Sequence, residues 1–440
     1  EYPDGKTIHL KDRGADFTKV TGTSTATGNG IIASTSVNQS ISLIHNETTT
    51  VDSYGAIGTG DESAIIQEYA DWATVQAGVT VMRMGLNKAY TATDVTITSN
   101  TALNLNGAKV SQVADAITPI FHNISTSDVH TEDNIYIFNG TLSGASASFT
   151  VDIQTFLARI VSVHNFAFKD VIFEDLRSIN VGGGKSIGLT ISGTSKNYWV
   201  NKCKFLRMGT PSTFGNGLFA KGSYGVVTDN IADQVYDTAF NFERMTHGTM
   251  SNNIATNTGN GFAVTLQCEN VTLSNNVSIS SSAHNFLVDK FVSAGGTLMK
   301  NITLTGNVGV NAGTGGVGNN FYIHDADNAQ LSNNLASVAD DNNFELLGCT
   351  DSNVSGGSAS LASTKDGVLI QDCENCDVKG VDISAHGRYG VFAKDSTNTT
   401  ISAGTKIHNG TQHQVRVSGG AHTFIKGNLL CGRLTHQPTT

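Results

Sequence analysis

The chain is poor in proline and in charged residues. Only 4 of its 440 residues are Pro and 15% are charged, whereas 47 are Gly. It contains no stretch of about 18 apolar residues, which excludes a membrane-spanning helix. Lys and Arg form no run and the formal net charge is −10, so the chain lacks the basic surface that nucleic-acid phosphates require. We therefore expect no membrane span and no nucleic-acid partner.

Cysteine is also scarce. The six cysteines, at positions 203, 268, 349, 373, 376 and 431, are scattered along the chain and suit small positions in a buried wall. Cys373 and Cys376 have the spacing of a metal-binding or redox pair, but no second pair or His set accompanies them. We predict no metal site and no cofactor.

A short polar turn recurs between apolar strands from about residue 223 to residue 430. It occurs as Thr228-Asp229-Asn230, Ser251-Asn252-Asn253, Ser274-Asn275-Asn276, Thr305-Gly306-Asn307 and Ser332-Asn333-Asn334. The final asparagines are 23, 23, 31 and 27 residues apart, which is near one coil of a parallel β-solenoid. Asn suits such turns because it tolerates left-handed backbone angles and can bond to the Asn in the next coil.

A second column keeps step with these turns. It consists of Phe240, Phe262, Phe286, Phe321, Phe344, Val368 and Val391. Each member starts an alternation of apolar and polar residues, which predicts apolar side chains stacked inside a solenoid wall and polar side chains outside it. The composition and both columns predict an all-β solenoid.

The chain divides into three predicted segments. Residues 1–50 are rich in Thr, Ser and Gly and are interpreted as an extended neck, residues 51–118 as an N-terminal cap with the first coils, and residues 119–440 as the solenoid body. The cap contains an amphipathic helix that we expect to start at Asp61 and end at Gly78. Because Glu1 is followed by no signal-type segment, we interpret the sequence as a fragment or a processed chain.

The cap segment resembles a known family. Tyr54-Gly55-Ala56-Ile57-Gly58-Thr59-Gly60-Asp61, followed by Ala64-Ile65-Ile66-Gln67 and Val79-Thr80-Val81, resembles the opening of the pectate-lyase-superfamily β-helices. Within that superfamily the segment is most similar to bacteriophage tailspikes and related polysaccharide depolymerases. Members usually have Phe where this chain has Tyr54, and Thr59 is an addition.

The resemblance implies a right-handed, single-stranded parallel β-helix that is commonly a homotrimer. It also implies a phage virion protein, joined to the tail or baseplate through a missing N-terminal part, that binds and usually cleaves a bacterial cell-surface polysaccharide such as capsule or O-antigen. Catalytic residues differ between the subfamilies, so none is carried over to this chain.

Candidate catalytic residues follow from the register of the phenylalanine column. The residue three places later points outward, and this outward column contains Glu243 and Asp289 two coils apart, or about 9.6 Å along the axis. Glycoside hydrolysis uses one carboxylic acid and one carboxylate, which are separated by about 6.5–9.5 Å in inverting enzymes. Asp237, in the turn before Phe240, is a third candidate for either role.

Neighbouring outward residues are candidates for substrate binding. They are Lys221, Arg244, Lys290, Tyr236, Tyr322, His324 and Asp325. Endo-glycosidic hydrolysis of a bacterial polysaccharide is the leading hypothesis, with a lyase that uses His324 or Tyr322 as the base second. A binding or adhesive β-helix without catalysis is the third hypothesis, and the charged strip is then a ladder of opposite charges.

Overall fold

The structure is a computed structural model with two compact units, residues 1–204 and 205–440. It describes residues 7–10, 15–21, 31–33, 39–43, 49–56, 58, 60–76, 78–114, 116–125, 129–130, 132–144, 154–177, 185–210, 214–291, 299–314, 316–402, 404–427, 429–430 and 434–436. No helix within these ranges has the length and apolarity needed to cross a membrane.

The first unit combines a small antiparallel sheet, a capping helix and parallel coils. The antiparallel sheet consists of Thr7–Leu10, Ala15–Thr21, Gln39–Leu43 and Ile31–Ala33, in that order across the sheet. A 3-10 helix at Val51–Tyr54 and an α-helix at Ser63–Thr74 follow. The parallel strands are Thr80–Arg83, Ala89–Thr91, Val95–Thr96, Thr101–Asn104, Lys109–Ser111, Phe121–His122, Glu132–Asp133, Ile135–Ser143, Thr155–Val161, Val163–Glu174, Lys185–Ser192 and Lys196–Asn201.

The predicted capping helix is present but shorter than expected. Its buried face consists of Ile66, Tyr69, Ala70 and Ala73. The helix starts at Ser63 with Glu62 as its N-cap, so the predicted start at Asp61 is wrong, although the Asp61 carboxylate accepts a hydrogen bond from the Ser63 N–H at 3.0 Å. The helix ends at Thr74 with Val75 as its C-cap, so the prediction that Gly78 ends it is wrong.

The capping helix closes the exposed edge of an early strand. The Gln67 side-chain amide accepts a hydrogen bond from the Thr96 N–H at 2.7 Å and donates one to the Thr96 carbonyl at 3.3 Å. A side chain thus makes the two bonds that a neighbouring strand would make, which protects an edge that would otherwise pair with another chain.

The second unit continues as parallel coils. Its strands are Phe214–Thr228, Ile231–Val235, Thr238–Ser251, Ile254–Thr256, Asn260–Thr265, Glu269–Ser274, Val277–Ile279, Phe286–Asp289, Met299–Thr305, Val308–Ala312, Phe321–His324, Ala326–Ser332, Leu335–Ala339, Phe344–Leu347, Asn353–Ser355, Ser358–Ala362, Val368–Gln371, Asp377–Lys379, Asp382–Ser384, Tyr389–Lys394, Thr400–Ser402, Lys406–His408, His413–Ser418, Phe424–Lys426, Leu429–Leu430 and Leu434–His436. Lys204–Met208 spans the boundary between the two units.

The register of these strands confirms the predicted phenylalanine column. Phe240 pairs with Phe262, and the column continues through Phe286 and Phe321 to Phe344. Successive ring centroids are 5.3, 5.1, 4.6 and 4.8 Å apart, with nearly parallel planes. All five rings are fully buried. The chain folds as a right-handed parallel β-helix, as predicted. The division at residues 50 and 118 stays a prediction.

The recurring polar turn performs two separate functions. Its middle residue adopts a left-handed conformation, as at Asn252, Asn275 and Gly306. Its final asparagine is buried and belongs to a hydrogen-bonded column. The Asn253 Nδ2 group donates to the Asn276 Oδ1 atom at 2.9 Å, and the next two steps of the column measure 3.0 and 3.1 Å. Because buried amides are costly without partners, this column fixes the position of each coil on the next.

We expect Asn276→Asp to destabilise the β-helix by about 2–5 kcal/mol, because a buried carboxylate replaces an amide that donates to two oxygens. Those acceptors are the Met250 carbonyl and the Asn307 Oδ1 atom, both 3.0 Å from Nδ2. Denaturant unfolding measures the change. Asn275→Asp is the matched control, because that side chain is exposed. Equal losses in the two variants would contradict a structural role for the buried column.

Candidate functional site

The strands that carry the phenylalanine column also carry two columns of outward-pointing side chains. We call the surface that these two columns form the groove. Column A lies one residue after the phenylalanine column, and column B lies three residues after it. Column A consists of Asn241, Ala263, Leu287, Tyr322, Glu345, Leu369, Phe392 and Arg416. Column B consists of Glu243, Thr265, Asp289, His324, Leu347, Gln371, Lys394 and Ser418.

Glu243 lies in column B as predicted, between two cations. Its Oε1 atom is 2.7 Å from the Lys221 Nζ atom and 2.9 Å from the Arg244 Nη1 atom. The Glu243 side chain is only 15% exposed. The Glu243 carboxylate is therefore engaged by two cations.

Asp289 lies two coils further along column B and contacts a histidine. Its Oδ1 atom is 3.2 Å from the His324 Nδ1 atom and accepts a hydrogen bond from the Phe291 N–H at 2.7 Å. The hydrogen bond to Asp289 raises the pKa of His324 above its usual value. Asp325 lies 3.7 Å from the other ring nitrogen and pairs with Lys290 at 3.3 Å. The structure therefore brings four of the predicted residues together.

Tyr322 lies in column A beside this charged cluster. Its ring stacks on His284 with a centroid distance of 4.8 Å and meets the His324 ring edge-on at 5.9 Å. Burial, with the charges of Glu345, Asp289 and Asp325, raises the pKa of the Tyr322 phenol to about 12. The phenol is therefore protonated at neutral pH.

His284 is a site residue that the sequence analysis did not identify. Burial lowers the pKa of its imidazole to about 4, so the ring is neutral at pH 7. Its Nδ1 atom accepts a hydrogen bond from the Asn319 N–H at 3.2 Å. The proton of the neutral ring is therefore assigned to Nε2, which makes this nitrogen a hydrogen-bond donor.

Glu345 is the second residue that the sequence analysis missed. It follows Tyr322 in column A, and its Oε2 atom accepts hydrogen bonds from the side-chain amides of Asn342 at 2.7 Å and Asn319 at 3.0 Å. Burial raises the pKa of the Glu345 carboxyl above its usual value. Among the outward positions of the strands, the sequence analysis considered catalytic carboxyl groups only three places after the phenylalanine column, and Glu345 lies one place after it.

Asp237 and Tyr236 lie at the other end of the strand that carries Glu243. Asp237 precedes Glu243 by six residues, or roughly 20 Å along an extended strand. Its carboxylate accepts a hydrogen bond from the Thr238 hydroxyl at 3.3 Å, and Tyr236 is 39% exposed. This placement does not bring Asp237 to the cluster around Tyr322.

Further along column A, the groove contains an aromatic cluster flanked by two arginines. Tyr389 and Phe392 are buried together with Leu369 on the outward face. The Arg388 guanidinium carbon lies 5.1 and 5.4 Å from the two ring centroids, and that of Arg416 lies 5.0 and 5.3 Å from them. Leu369, Phe392 and the two arginines border a cleft of about 400 Å³. The cleft is also lined by Asn342, Glu345, Lys365, Gln371 and Lys394.

A different cluster, in the first unit, has ligand atoms that fit a metal ion. His130, Asp133 and His164 offer one ligand atom each, all within 4.8 Å of one another. The two imidazole rings stack with centroids 3.6 Å apart. Within the described ranges this is the one group of three such residues, and none of them belongs to the groove.

Comparisons with known proteins agree with the fold. A family model described as the right-handed beta helix region matches residues 366–430. No curated protein matches the chain by sequence.

Similar solved structures come from an enzyme and from phages. The A-module of the mannuronan C-5 epimerase AlgE6 of Azotobacter vinelandii is 18% identical, with 88% of this chain and 100% of that chain covered and a TM-score of 0.61. The N-terminal fragment of bacteriophage phi29 gene product 12 is 13% identical, with coverage of 86% and 70% and a TM-score of 0.62. A mutant tailspike protein of the E. coli bacteriophage HK620, in complex with a hexasaccharide, is 11% identical, with coverage of 84% and 77% and a TM-score of 0.57. At these identities the likeness shows the fold alone, which is a right-handed β-helix.

The neutral imidazole of His284 predicts a loss of stability in acid. The unfolded chain binds a proton near pH 6.5 but the folded chain only near pH 4, so the free energy of unfolding falls as the pH drops through this window, by about 3 kcal/mol in total. We expect His284→Asn to flatten this part of the pH profile, measured by denaturant unfolding. His247→Asn is the control, because His247 stacks on Tyr224 but is exposed. An unchanged profile in His284→Asn would contradict the assignment.

Proposed function

We propose that the chain binds a bacterial surface polysaccharide along the groove and cleaves it by endo-glycosidic hydrolysis. The observation that carries this proposal is a pair of carboxyl groups in different environments near Tyr322. Burial favours the protonated form of Glu345, whereas Asp289 is the hydrogen-bonded partner of His324. Two carboxyl groups whose environments differ in this way are what an acid and a base in glycoside hydrolysis require.

Glu345 is proposed as the general acid and Asp289 as the general base. Glu345 donates its proton to the glycosidic oxygen, and the bond between that oxygen and the anomeric carbon breaks. A water molecule attacks the anomeric carbon and loses one proton to the Asp289 Oδ2 atom. The products are two shorter chains that together contain one added water, and exchange with solvent restores both carboxyl groups.

The separation of the two groups favours inversion. Asp289 pairs with His324, His324 pairs with Leu347, and Glu345 stands two residues before Leu347. Strand and residue spacings place the Asp289 and Glu345 Cα atoms roughly 12 Å apart. When both outward side chains lean towards Tyr322, this separation approaches the range of about 6.5–9.5 Å of inverting enzymes, whereas retaining enzymes need about 5–5.5 Å.

The same contacts weaken the two other hypotheses. In a lyase the base takes the proton alpha to a uronate carboxylate. The raised pKa of Tyr322 disfavours the phenolate that would act as this base. The hydrogen bond to Asp289 raises the pKa of His324 and so favours its protonated form, which cannot accept a proton. A purely adhesive groove needs no buried carboxyl group with a raised pKa. Burial makes the ionised form of such a group unfavourable, and groups whose pKa values are shifted in this way are concentrated at catalytic sites.

We expect Glu345→Gln to lower polysaccharide turnover by at least about 100-fold, because the variant cannot donate a proton. Binding should change little, since the Gln carbonyl still accepts hydrogen bonds from Asn319 and Asn342. Reducing-end release from a panel of purified capsules and O-polysaccharides measures turnover, and co-sedimentation measures binding.

Glu243→Gln is the matched comparison, since the sequence analysis placed catalysis at Glu243. We expect a smaller loss of turnover, because Glu243 is engaged by Lys221 and Arg244. A large loss in Glu243→Gln with full activity in Glu345→Gln would overturn our assignment of the acid. The absence of cleavage across the whole panel would leave binding as the function.

The proposal includes a homotrimer on a phage virion, attached to the tail or baseplate. An exposed apolar stripe supports the association of copies. Its members occupy equivalent positions on one wall, and they are Ile231, Ile254, Val277, Val308 and Leu335. Ile231, Ile254 and Leu335 are 38%, 40% and 46% exposed. A contiguous apolar surface of this kind is typical of protein–protein interfaces.

We expect sedimentation at micromolar concentration to give a trimer, and Ile254→Lys to weaken it, because a charge at the stripe would be buried between copies. Thr272→Lys, which places the same side chain on another wall, is the control. A monomeric wild-type chain would contradict the trimer, and equal behaviour of the two variants would contradict the stripe as its interface.

A further inference from the structure

The cluster of His130, Asp133 and His164 in the first unit is assembled by the register of two neighbouring coils. Asp133 lies in the strand Glu132–Asp133 and pairs directly with His164 in the strand Val163–Glu174. His130 stands three residues before Asp133, and its Nε2 atom lies 3.3 Å from the Asp133 Oδ1 atom. Because paired strands lie about 4.8 Å apart, the carboxylate and the two imidazoles share one spot on the wall of the coil.

The distances within this cluster are close to those between the ligands of one small metal ion. Two ligands of a tetrahedral ion with bonds of about 2.0–2.1 Å are roughly 3.3–3.4 Å apart, and the His130 Nε2 and Asp133 Oδ1 atoms are 3.3 Å apart. One ligand atom from each of the three residues lies within 4.8 Å of the other two. Bringing all three to tetrahedral separations therefore requires a closure of at most about 1.5 Å.

The His164 imidazole has the hydrogen bonding that is typical of a metal ligand. It makes a hydrogen bond with the Thr194 backbone that favours the protonated ring, so a ring N–H is the donor. The Nε2 atom is buried and has no hydrogen-bond partner among the described residues, which assigns that donor to Nδ1. A histidine that binds a metal through one nitrogen usually donates its other N–H to a carbonyl in this way. Burial also lowers the pKa of His164 below its usual value, which favours the neutral ring that a metal ion requires.

The stacking of the two imidazoles defines the movement that metal binding requires. Their centroids are 3.6 Å apart and their planes are inclined by 18°. In nearly parallel rings the nitrogen lone pairs point in parallel directions, so the rings must splay apart before both can bind one ion. The Thr194 backbone holds the His164 ring, whereas His130 is exposed. We therefore expect the His130 ring to turn.

We propose that His130, Asp133 and His164 bind a divalent transition-metal ion such as Zn²⁺, with water as the fourth ligand. Two imidazole nitrogens and one carboxylate oxygen suit Zn²⁺, whereas Ca²⁺ and Mg²⁺ prefer oxygen ligands alone. The ion joins Asp133 to His164 and so stabilises one coil on the next in the first unit. The sequence analysis expected no metal site because 34 residues separate the two histidines, a spacing unlike that of short metal-binding motifs.

Calorimetric titration of the full, untagged chain with Zn²⁺ tests the site, with Ca²⁺ as the reference ion. We expect one Zn²⁺ to bind per chain, with no comparable binding of Ca²⁺. His130→Asn and His164→Asn should each weaken Zn²⁺ binding at least about tenfold. His408→Asn is the matched control, because His408 Nε2 lies 2.9 Å from Asp382 Oδ1 but belongs to no three-residue group of metal ligands in the described part of the chain. This variant should bind Zn²⁺ like the wild type.

X-ray absorption at the zinc edge identifies the ligands of the bound ion. Imidazole nitrogens at about 2.0–2.1 Å in the wild type, lost in His130→Asn and His164→Asn, would support the site. No zinc binding by the wild type, ligation by oxygen alone, or equal weakening by His164→Asn and His408→Asn would overturn it.

Thermal unfolding tests the link between the two coils. Because the ion binds the folded chain, Zn²⁺ should raise the unfolding temperature of the wild type more than that of His164→Asn. An equal rise in both would contradict the link. None of these measurements uses a polysaccharide, so their outcome is independent of the proposed hydrolysis.

Discussion

The parallel register between successive coils is the constraint on which the rest of the structure depends. Once Phe240 pairs with Phe262 and Phe262 with Phe286, every residue of those strands has a fixed neighbour about 4.8 Å above and below it. The buried asparagine column makes a slip of register costly, because each amide would lose its partners. Side chains far apart in sequence thus become adjacent on the surface, as Asp289 and His324 do.

The groove shows how one scaffold gives two carboxyl groups different properties. Asp289 contacts a histidine and accepts a hydrogen bond from a backbone N–H. Glu345 accepts hydrogen bonds from two side-chain amides, and burial raises the pKa of its carboxyl group above the usual value. The contact between Asp289 and His324 arises because they are neighbours in column B. The other partners, Phe291, Asn319 and Asn342, lie just outside the strands.

Much of the fold could be predicted from the sequence because it repeats. The turn asparagines and the phenylalanine column recur at nearly fixed spacing, so the solenoid, its inward face and the outward position of Asp289 all followed from counting. The helix end was predicted less well, because Val75 caps the helix before Gly78 is reached. The end of one helix occurs only once in the chain, so no repeating pattern in the sequence indicates where it lies.

The site was predictable only in part. The register placed Asp289 and His324 together, but it does not report the partners of each carboxyl group, which are two cations at Glu243 and two side-chain amides at Glu345. The role of His284 was also hidden, because it depends on stacking against Tyr322 and on one backbone N–H. The sequence pattern therefore predicted the positions of several groove residues but not their electrostatic environments.

The most direct test of the central claim is the mass of the cleavage products formed in water enriched in oxygen-18. Acid–base hydrolysis by Glu345 and Asp289 predicts oligosaccharides that carry one added water each, with a single heavy oxygen at the new reducing end. Products that lack the added water and contain an unsaturated uronate would contradict it, because elimination needs no water and would assign the groove to a lyase.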